Sequence, residues 1–329
     1  MDGPELSAGL AVDPAAARIL TFAVEPVEID ALVEWSELEP RDAHRLIDEL
    51  ILRGMLVHGQ SAGTPPPWDA WGEAAWFAHW EGERTRFAAD HVEVDALKNS
   101  LSQRPQPHRT TERHRGRPFV RLPASEEKPL DASLKAVLRE RRSTQLQPST
   151  NPTTVGDVAT VLGETFRSRS LTDAKFFGVS HLKAYPSAGA RHDIDAYVLV
   201  FDVPGIPSAT YWYDDEQHTL RQIGTAPSRG LWDAASGQQH APDYADFAVL
   251  TVSATERLAW KYRSPHAYRH VWQHTGHAVQ VMLMVATALG LAQRLTGALS
   301  ADDIRSQLGL TSDEIPTFLT CFNRRPGRG

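Results

Sequence analysis

The chain is short of the residues that usually announce a function. Cys321 is its only cysteine, so no intrachain disulfide can form and no cysteine-rich metal cluster can be built. That scarcity suits a reducing cytoplasm. No G-x-G-x-x-G run follows a strand-like segment, and no G-x-x-x-x-G-K-[ST] run occurs. The dinucleotide and P-loop fingerprints are therefore both missing, as is the G-x-S-x-G elbow of a serine hydrolase. The longest apolar run, "VMLMVATALGLA" (281–292), is too short to span a bilayer. The opening "MDGPELSAGL" is acidic where a secretory signal would be basic. Positive charge is scarce too: a net charge of -7 speaks against a general nucleic-acid binder, because phosphate binding needs a positive surface. A cytoplasmic protein is expected, with neither membrane nor nucleic acid as partner.

What is present divides unevenly. Residues 1–100 hold 7 Lys/Arg against 19 Asp/Glu, and the remainder holds 27 against 22. Opposite signs suggest two modules. In the first, "VEIDALVEWSELEPRDAHRLIDELILRGMLVHG" reads as helix, break, helix, strand. Ile29, Leu32 and Val33 recur at helical spacing, as do Ala43, Leu46, Ile47, Leu50 and Ile51 after Pro40, which suits a helix start. Gly54 would stop the second helix and "MLVHG" would be a strand. This is the order of a winged helix-turn-helix. A DNA reader needs a basic recognition helix, and this one carries Asp42, Asp48 and Glu49. Peptide or protein docking is favoured over DNA, with a plain helical subdomain as the bland alternative. Trp68, Trp71, Trp76 and Trp80 follow; core packing is their default and a peptide platform the sharper option. The expected division is a docking domain over 1–98, a Pro/Arg-rich linker over 99–129, and a second domain over 130–329.

In that second domain, "LDASLKAVLRERRST" reads as a helix capped by Asp131 or Ser133, and "TTVGDVATVLGETF" as another. "AYVLVFDV" reads as a strand. "TYWY" and "TLRQI" flank a polar turn at Asp214–Gln217 as a hairpin. "DFAVLTVSAT" reads as a buried strand, 266–292 as a long helix, "SADDIRSQLGL" as a short capped helix and "TFLTCF" as a final strand. Helices and strands mix without a βαβ rhythm, so an α+β fold is expected.

The candidate chemistry lies in separated segments. His266, His270 and His274 stand at i, i+4, i+8, but the H-E-x-x-H base is absent and no third ligand type is evident, so no metal is expected. "RERRST" (139–144) ends a helix in arginines and hydroxyls. "YPSAGARHD" (185–193) is a small-residue loop ahead of a strand. "NRRPG" (323–327) puts two arginines after the last strand. Together they offer guanidinium forks, hydroxyls and accessible backbone N–H groups, as a phosphate and a planar polar ring require. "RLAWKYRSPHAYRH" (257–270) adds four Lys/Arg, two tyrosines, a tryptophan and two histidines before an apolar helix.

These segments, in this order, resemble the SagB-type dehydrogenases, the azoline-oxidising branch of the FMN-dependent nitroreductase superfamily. The resemblance covers about 130–329. It implies a central, mainly antiparallel sheet flanked by helices in an interlocked homodimer, with FMN at each of two subunit interfaces. The acidic N-terminal module is similar to a winged-helix-like peptide clamp that some members carry. Arg141, Arg142 and Ser143 would hold the phosphate and ribityl region. Gln145 stands where Arg or Lys is common and can still donate to a flavin carbonyl. Pro186, Ser187, Gly189 and Arg191 would line the flavin, and Arg324 or Arg325 would reach the phosphate. Lys261 and Tyr262 match the family's catalytic dipeptide. Gln280 is in place, but Val281 stands where Asn is common. The implied activity is oxidation of thiazolines or oxazolines to azoles in a ribosomally made peptide, bound through leader or core, with a cyclodehydratase as a further expected partner. A base is needed: desolvation would lower the lysine's pKa, and an adjacent ammonium the tyrosine's. The alternatives are a flavin-dependent reductase of dehydroamino acids or another small or peptidic substrate, and a non-catalytic docking or assembly protein that keeps the fold.

Overall fold

A computed structural model describes residues 14–23, 27–52, 55–56, 70–72, 74–75, 78–79, 91–103, 107, 113–124, 130–174 and 178–325. The chain divides into two compact units, Met1–Glu81 and Gly82–Gly329.

In the first unit, α1 (Pro14–Phe22), α2 (Ile29–Ser36) and α3 (Pro40–Leu52) turn apolar stripes toward one another. Ile19, Leu32, Ile47 and Leu50 make the shared core. α2 stops at Glu37, which adopts a left-handed φ of 59° and returns its N–H to Glu34 O. Pro40 opens α3, as its fixed φ allows. Of the expected strand "MLVHG", Met55 and Leu56 are bends and the rest lies outside the described residues. Trp71 is 65% exposed, which contradicts core packing for that residue; Trp68, Trp76 and Trp80 lie outside the described residues.

The second unit is built on a seven-stranded sheet of order β1-β6-β5-β4-β7-β9-β8, antiparallel at every pairing. Its strands are β1 (Phe119–Arg121), β4 (Ile194–Val200), β5 (Ala209–Asp214), β6 (Thr219–Gly224), β7 (Phe247–Ala254), β8 (Leu291–Thr296) and β9 (Glu314–Arg324). A separate hairpin pairs β2 (Ser170–Asp173) with β3 (Val179–Leu182). The helices are α4 (His91–Ser102), α5 (Leu134–Glu140), α6 (Val155–Phe166), α7 (Arg229–Ala235), α8 (Thr255–Lys261), α9 (Tyr268–Ala288) and α10 (Ala301–Leu308).

The strand sequences are apolar without alternation because both sheet faces are covered. Ile194, Ala196, Val198 and Val200 of β4 pack with Val158 and Leu162 of α6 and with Ala278, Met282 and Ala286 of α9. Tyr197 and Leu199 point the other way, with Trp232 of α7 and Ile304 of α10. Val281 packs against the first of these cores. α6 starts on a full capping box: the Thr154 side chain accepts from Asp157 N–H, and the Asp157 side chain accepts from Thr154 N–H. Ser133, rather than Asp131, caps α5. Ser300 makes no side-chain cap bond on α10.

Two sequence expectations need correction. The helix expected over 266–292 begins as a 3-10 turn at Pro265–Ala267 and ends at Ala288. Gly290, at φ 72°, breaks it, and Leu291 opens strand β8. The segment expected as linker is not linker throughout: Phe119–Arg121 pairs with β6, and Arg113 bonds Glu314 at 2.7 Å. No described helix is long and apolar enough to cross a membrane.

Candidate active site

The register of β4 on β7 pairs Ile194 with Ser253. That pairing brings the loop ahead of β4 beside α8, which starts directly after β7. The loop is held by buried polar groups. Asp193 and His274 are almost wholly buried. Asp193 Oδ2 accepts from Ser253 Oγ at 2.5 Å. Its Oδ1 lies 2.6 Å from His274 Nδ1. Ala188 N–H donates to His274 Nε2 at 2.7 Å. Nε2 is therefore the acceptor, and the proton sits on Nδ1 facing Asp193. One turn on, His277 Nδ1 lies 3.2 Å from Pro186 O. The N-terminal half of α9 thus fixes the loop at one amide, Ala188 N–H, and one carbonyl, Pro186 O.

The loop is bent hard. Gly189, Ala190 and His192 have φ of 55°, 50° and 44°. Left-handed backbone costs the two non-glycine residues roughly 1–2 kcal/mol each. The bond from His192 N–H to Ser187 Oγ, at 3.0 Å, helps hold the bend. Burial keeps His192 neutral by pressing its pKa down to about 3, with the Lys183 charge adding to it.

Lys261 ends α8 and Tyr262 is its C-cap, so both leave the helix at one point. A Cβ at Gly189 would lie 2.6 Å from Lys261 Nζ and 2.6 Å from Tyr262 OH. The ammonium and the phenol therefore converge on the one loop position with no side chain. Arg191 lies over the Trp260 ring at 5.3 Å, and its Nε is buried without a hydrogen-bond partner among the described residues. Burial lowers the Lys261 pKa from 10.5, and the Arg191 charge lowers it further. Burial raises the Tyr262 pKa above 10, against a smaller lowering by Arg191. A tyrosine depressed by its neighbour was the expectation; desolvation of the phenolate outweighs the cation.

The remaining predicted residues lie elsewhere. Arg141 caps α5 and is half-buried; Arg142, Ser143 and Gln145 are exposed. Thr144 N–H donates to Gln293 O at 2.9 Å, and Leu295 N–H donates to Ser143 Oγ at 3.4 Å, which lays this segment along β8. Gln145 Nε2 donates to His240 O at 3.4 Å. Arg325 N–H reaches Gly290 O at the start of β8. Arg324 is already engaged. It pairs with Asp157 of the capping box and donates to Leu289 O at 2.8 Å, tying the start of α6 to the end of α9. Among the described residues no carboxylate pairs with Arg141, Arg142 or Arg325.

The two groups stand at opposite ends of β9. Ala254, beside the loop, pairs with Glu314, whereas Arg324 pairs with Leu291. Ten residues of strand separate Glu314 from Arg324, about 33 Å. His274 and Leu289 are likewise fifteen residues apart along α9, about 22 Å.

His270 and His274 stack at 5.6 Å, and no group of three or more His, Cys, Asp or Glu among the described residues could hold a metal ion. The roles of Asp193, Ser253 and His277 were not foreseen. No sequence spacing joins 193 to 253 and 274; strand register brings Ser253 to Asp193, and the packing of α9 brings His274.

A presumed nitroreductase of Methanocaldococcus jannaschii is 29% identical over 206 residues, covering 63% of this chain and 96% of that protein. The trifolitoxin-processing protein TfxB of Rhizobium leguminosarum is 32% identical over 140 residues, 41% of this chain and 38% of its own length. TfxF of the same organism is 35% identical over 114 residues, 34% of this chain and 36% of its own. The match thus spans only about a third of each trifolitoxin-processing protein. A presumed nitroreductase structure from Anabaena variabilis superposes with a TM-score of 0.58 at 16% identity, over 90% of this chain and 53% of that one. One from Ralstonia eutropha gives 0.50 at 19%, over 64% and 90%. Both share the fold. Residues 128–322, more than half the chain, match the nitroreductase family profile; the chain belongs to that family, one of flavin-dependent oxidoreductases in general.

Proposed function

We propose that the chain is a SagB-type, FMN-dependent dehydrogenase that oxidises thiazoline or oxazoline rings to azoles in a ribosomally made peptide, acting as a homodimer. The observation that carries this reading is the convergence of Lys261 Nζ and Tyr262 OH on side-chain-free Gly189. The trifolitoxin-processing relatives favour a peptide substrate.

The residues present suit an FMN. Arg191 Nε is buried without a hydrogen-bond partner among the described residues, and no carboxylate among them pairs with Arg141, Arg142 or Arg325. Arg141, Arg142, Ser143 and Arg325 would hold the phosphate and ribityl chain, and Gln145 would donate to a ring carbonyl. Pro186, Ser187, Gly189 and Arg191 would line the ring. These sets lie toward opposite ends of β9, which favours one set from each of two chains. Arg324 is assigned to the fold, since Asp157 and Leu289 O already occupy it. When bound, FMN supplies a two-electron acceptor for hydride.

The chain's own work is proton removal and orientation. The ring carbon beside the carbonyl is the acidic one. Neutral Lys261 Nζ takes its proton, and the loss of that proton and of a hydride from the neighbouring carbon leaves the aromatic ring. Tyr262 stays protonated and offers its O–H as a donor to the substrate. The acidic N-terminal helices of the first unit, Met1–Glu81, would dock a leader peptide or a cyclodehydratase, and the second unit, Gly82–Gly329, would hold the FMN.

Purified FMN-loaded protein should lower the mass of an azoline peptide by two hydrogens. The Lys261→Ala/Tyr262→Ala double variant should stay yellow and lose turnover. A gain of two hydrogens on a dehydroalanine peptide would favour the reductase instead, and undiminished turnover in the double variant would remove the assignment.

A further inference from the structure

Behind the Tyr262 ring lies a cavity of about 480 Å³ that the chemistry above does not use. It sits between α8, the 3-10 turn and the first turn of α9. Its floor is apolar and buried, formed by Leu258, Ala267 and Val271. Tyr262 and Tyr268 form walls, and Ala259 stands exposed at the mouth. The volume lies within the range of roughly 300–1,000 Å³ that holds small ligands or side chains.

The cavity is continuous with the catalytic pair. Tyr262 turns its hydroxyl to Gly189 while its ring lines the cavity. The surface outside is unusual as well. Tyr268 and Trp272 are 52% and 46% exposed, and their rings meet edge to face at 6.0 Å. Two large aromatics held against each other in solvent form a ledge that leads out of the cavity, of the kind that binds chain rather than fills a core. Exposed Arg263 at the rim disfavours a cationic guest.

Building on the proposed reaction, we infer that this cavity receives an uncharged apolar side chain, aliphatic or aromatic, from the peptide residue next to the ring being oxidised, with Tyr268 and Trp272 supporting the peptide chain. The ring would then lie at Lys261 Nζ and the neighbouring side chain behind Tyr262, one residue away. The site selects sequence around the azoline, not the azoline itself.

The test uses the full-length FMN-loaded protein and azoline peptides that differ only in the residue beside the ring: Phe, Gly or Lys. kcat/KM for the Phe peptide should exceed that for Gly by about tenfold, as burial of one large apolar side chain allows, and Lys should be the poorest. Ala259→Trp, which fills the mouth from an exposed position, should abolish the Phe preference and leave the Gly peptide's rate and the dimer mass unchanged. A flat series in the parent protein would overturn the inference, as would a preference that survives Ala259→Trp. So would an Ala259→Trp protein that turns monomeric, because the cavity would then belong to the subunit interface. If no azoline peptide is oxidised, the proposed reaction fails separately. The cavity is then read by fluorescence anisotropy with labelled Gly-Phe-Gly and Gly-Gly-Gly. About tenfold tighter binding of the Phe peptide, lost in Ala259→Trp, supports it; equal binding overturns it.

Discussion

The two ends of β9 are built in opposite ways. At the Glu314 end, Asp193, Ser253, His274 and Ala188 N–H are buried and bonded to one another, and they hold a strained loop under Lys261 and Tyr262. At the Arg324 end, Arg141, Arg142 and Arg325 lie on or near the surface, and among the described residues only Arg324 of these four pairs with a buried carboxylate. The first end is preorganised, as proton transfer demands. The second keeps positive charge available, as an anion from outside demands. On the proposed reading, each end supplies half of a flavin site.

Substitutions can break that contrast. His274→Ala should have the largest effect: it strands a buried carboxylate and the Ala188 N–H, costing about 3–5 kcal/mol of stability, read as a fall in Tm. His274→Asn, which can both accept and donate, should recover part of it. Gly189→Ala should cost about 1 kcal/mol in stability because φ is 55°, yet its Cβ would displace Lys261 Nζ and Tyr262 OH. Its kcat should fall about 100-fold, measured with flavin occupancy held equal. Arg325→Gln should weaken FMN binding about tenfold with little change in Tm. Arg324→Gln should do the reverse, lowering Tm more than FMN affinity, and thermal melts beside flavin titrations separate the two.

The smallest effect is a shift along the pH axis. On the proposed mechanism the active base is neutral Lys261, so kcat/KM should rise with pH through a pKa below 10.5. Arg191→Gln removes a neighbouring charge that lowers that pKa, so the limb should move upward. Burial, the larger cause, remains and keeps it below the free value. A limb that moves downward would exclude Lys261 as the base.

Much of this was legible in the sequence because the strongest signals are local. Thr154 and Asp157 cap α6 within four residues, the Asp214–Gln217 turn closes its own hairpin, and Lys261 and Tyr262 are neighbours. β8 was missed because "GLAQRLT" continues an apolar helix, and only Gly290 and the pairing with β9 turn it into strand. The buried network was missed for a related reason. Asp193, Ser253 and His274 are distant in sequence; strand register joins the first two and the packing of α9 brings the third, and no spacing encodes either. Choosing between Arg324 and Arg325 likewise required seeing Asp157 arrive from α6.

The central claim is that the two ends of β9 meet on one FMN only between two copies of the chain. A mixed dimer tests it directly. One chain carries Lys261→Ala/Tyr262→Ala and the other Arg141→Ala/Arg142→Ala/Arg325→Ala, each with its own tag, co-expressed and purified through both tags. Each homodimer should be inactive, while the mixed dimer holds one intact site in two and should regain about half the activity per dimer. A mixed dimer as inactive as its parents would contradict the account.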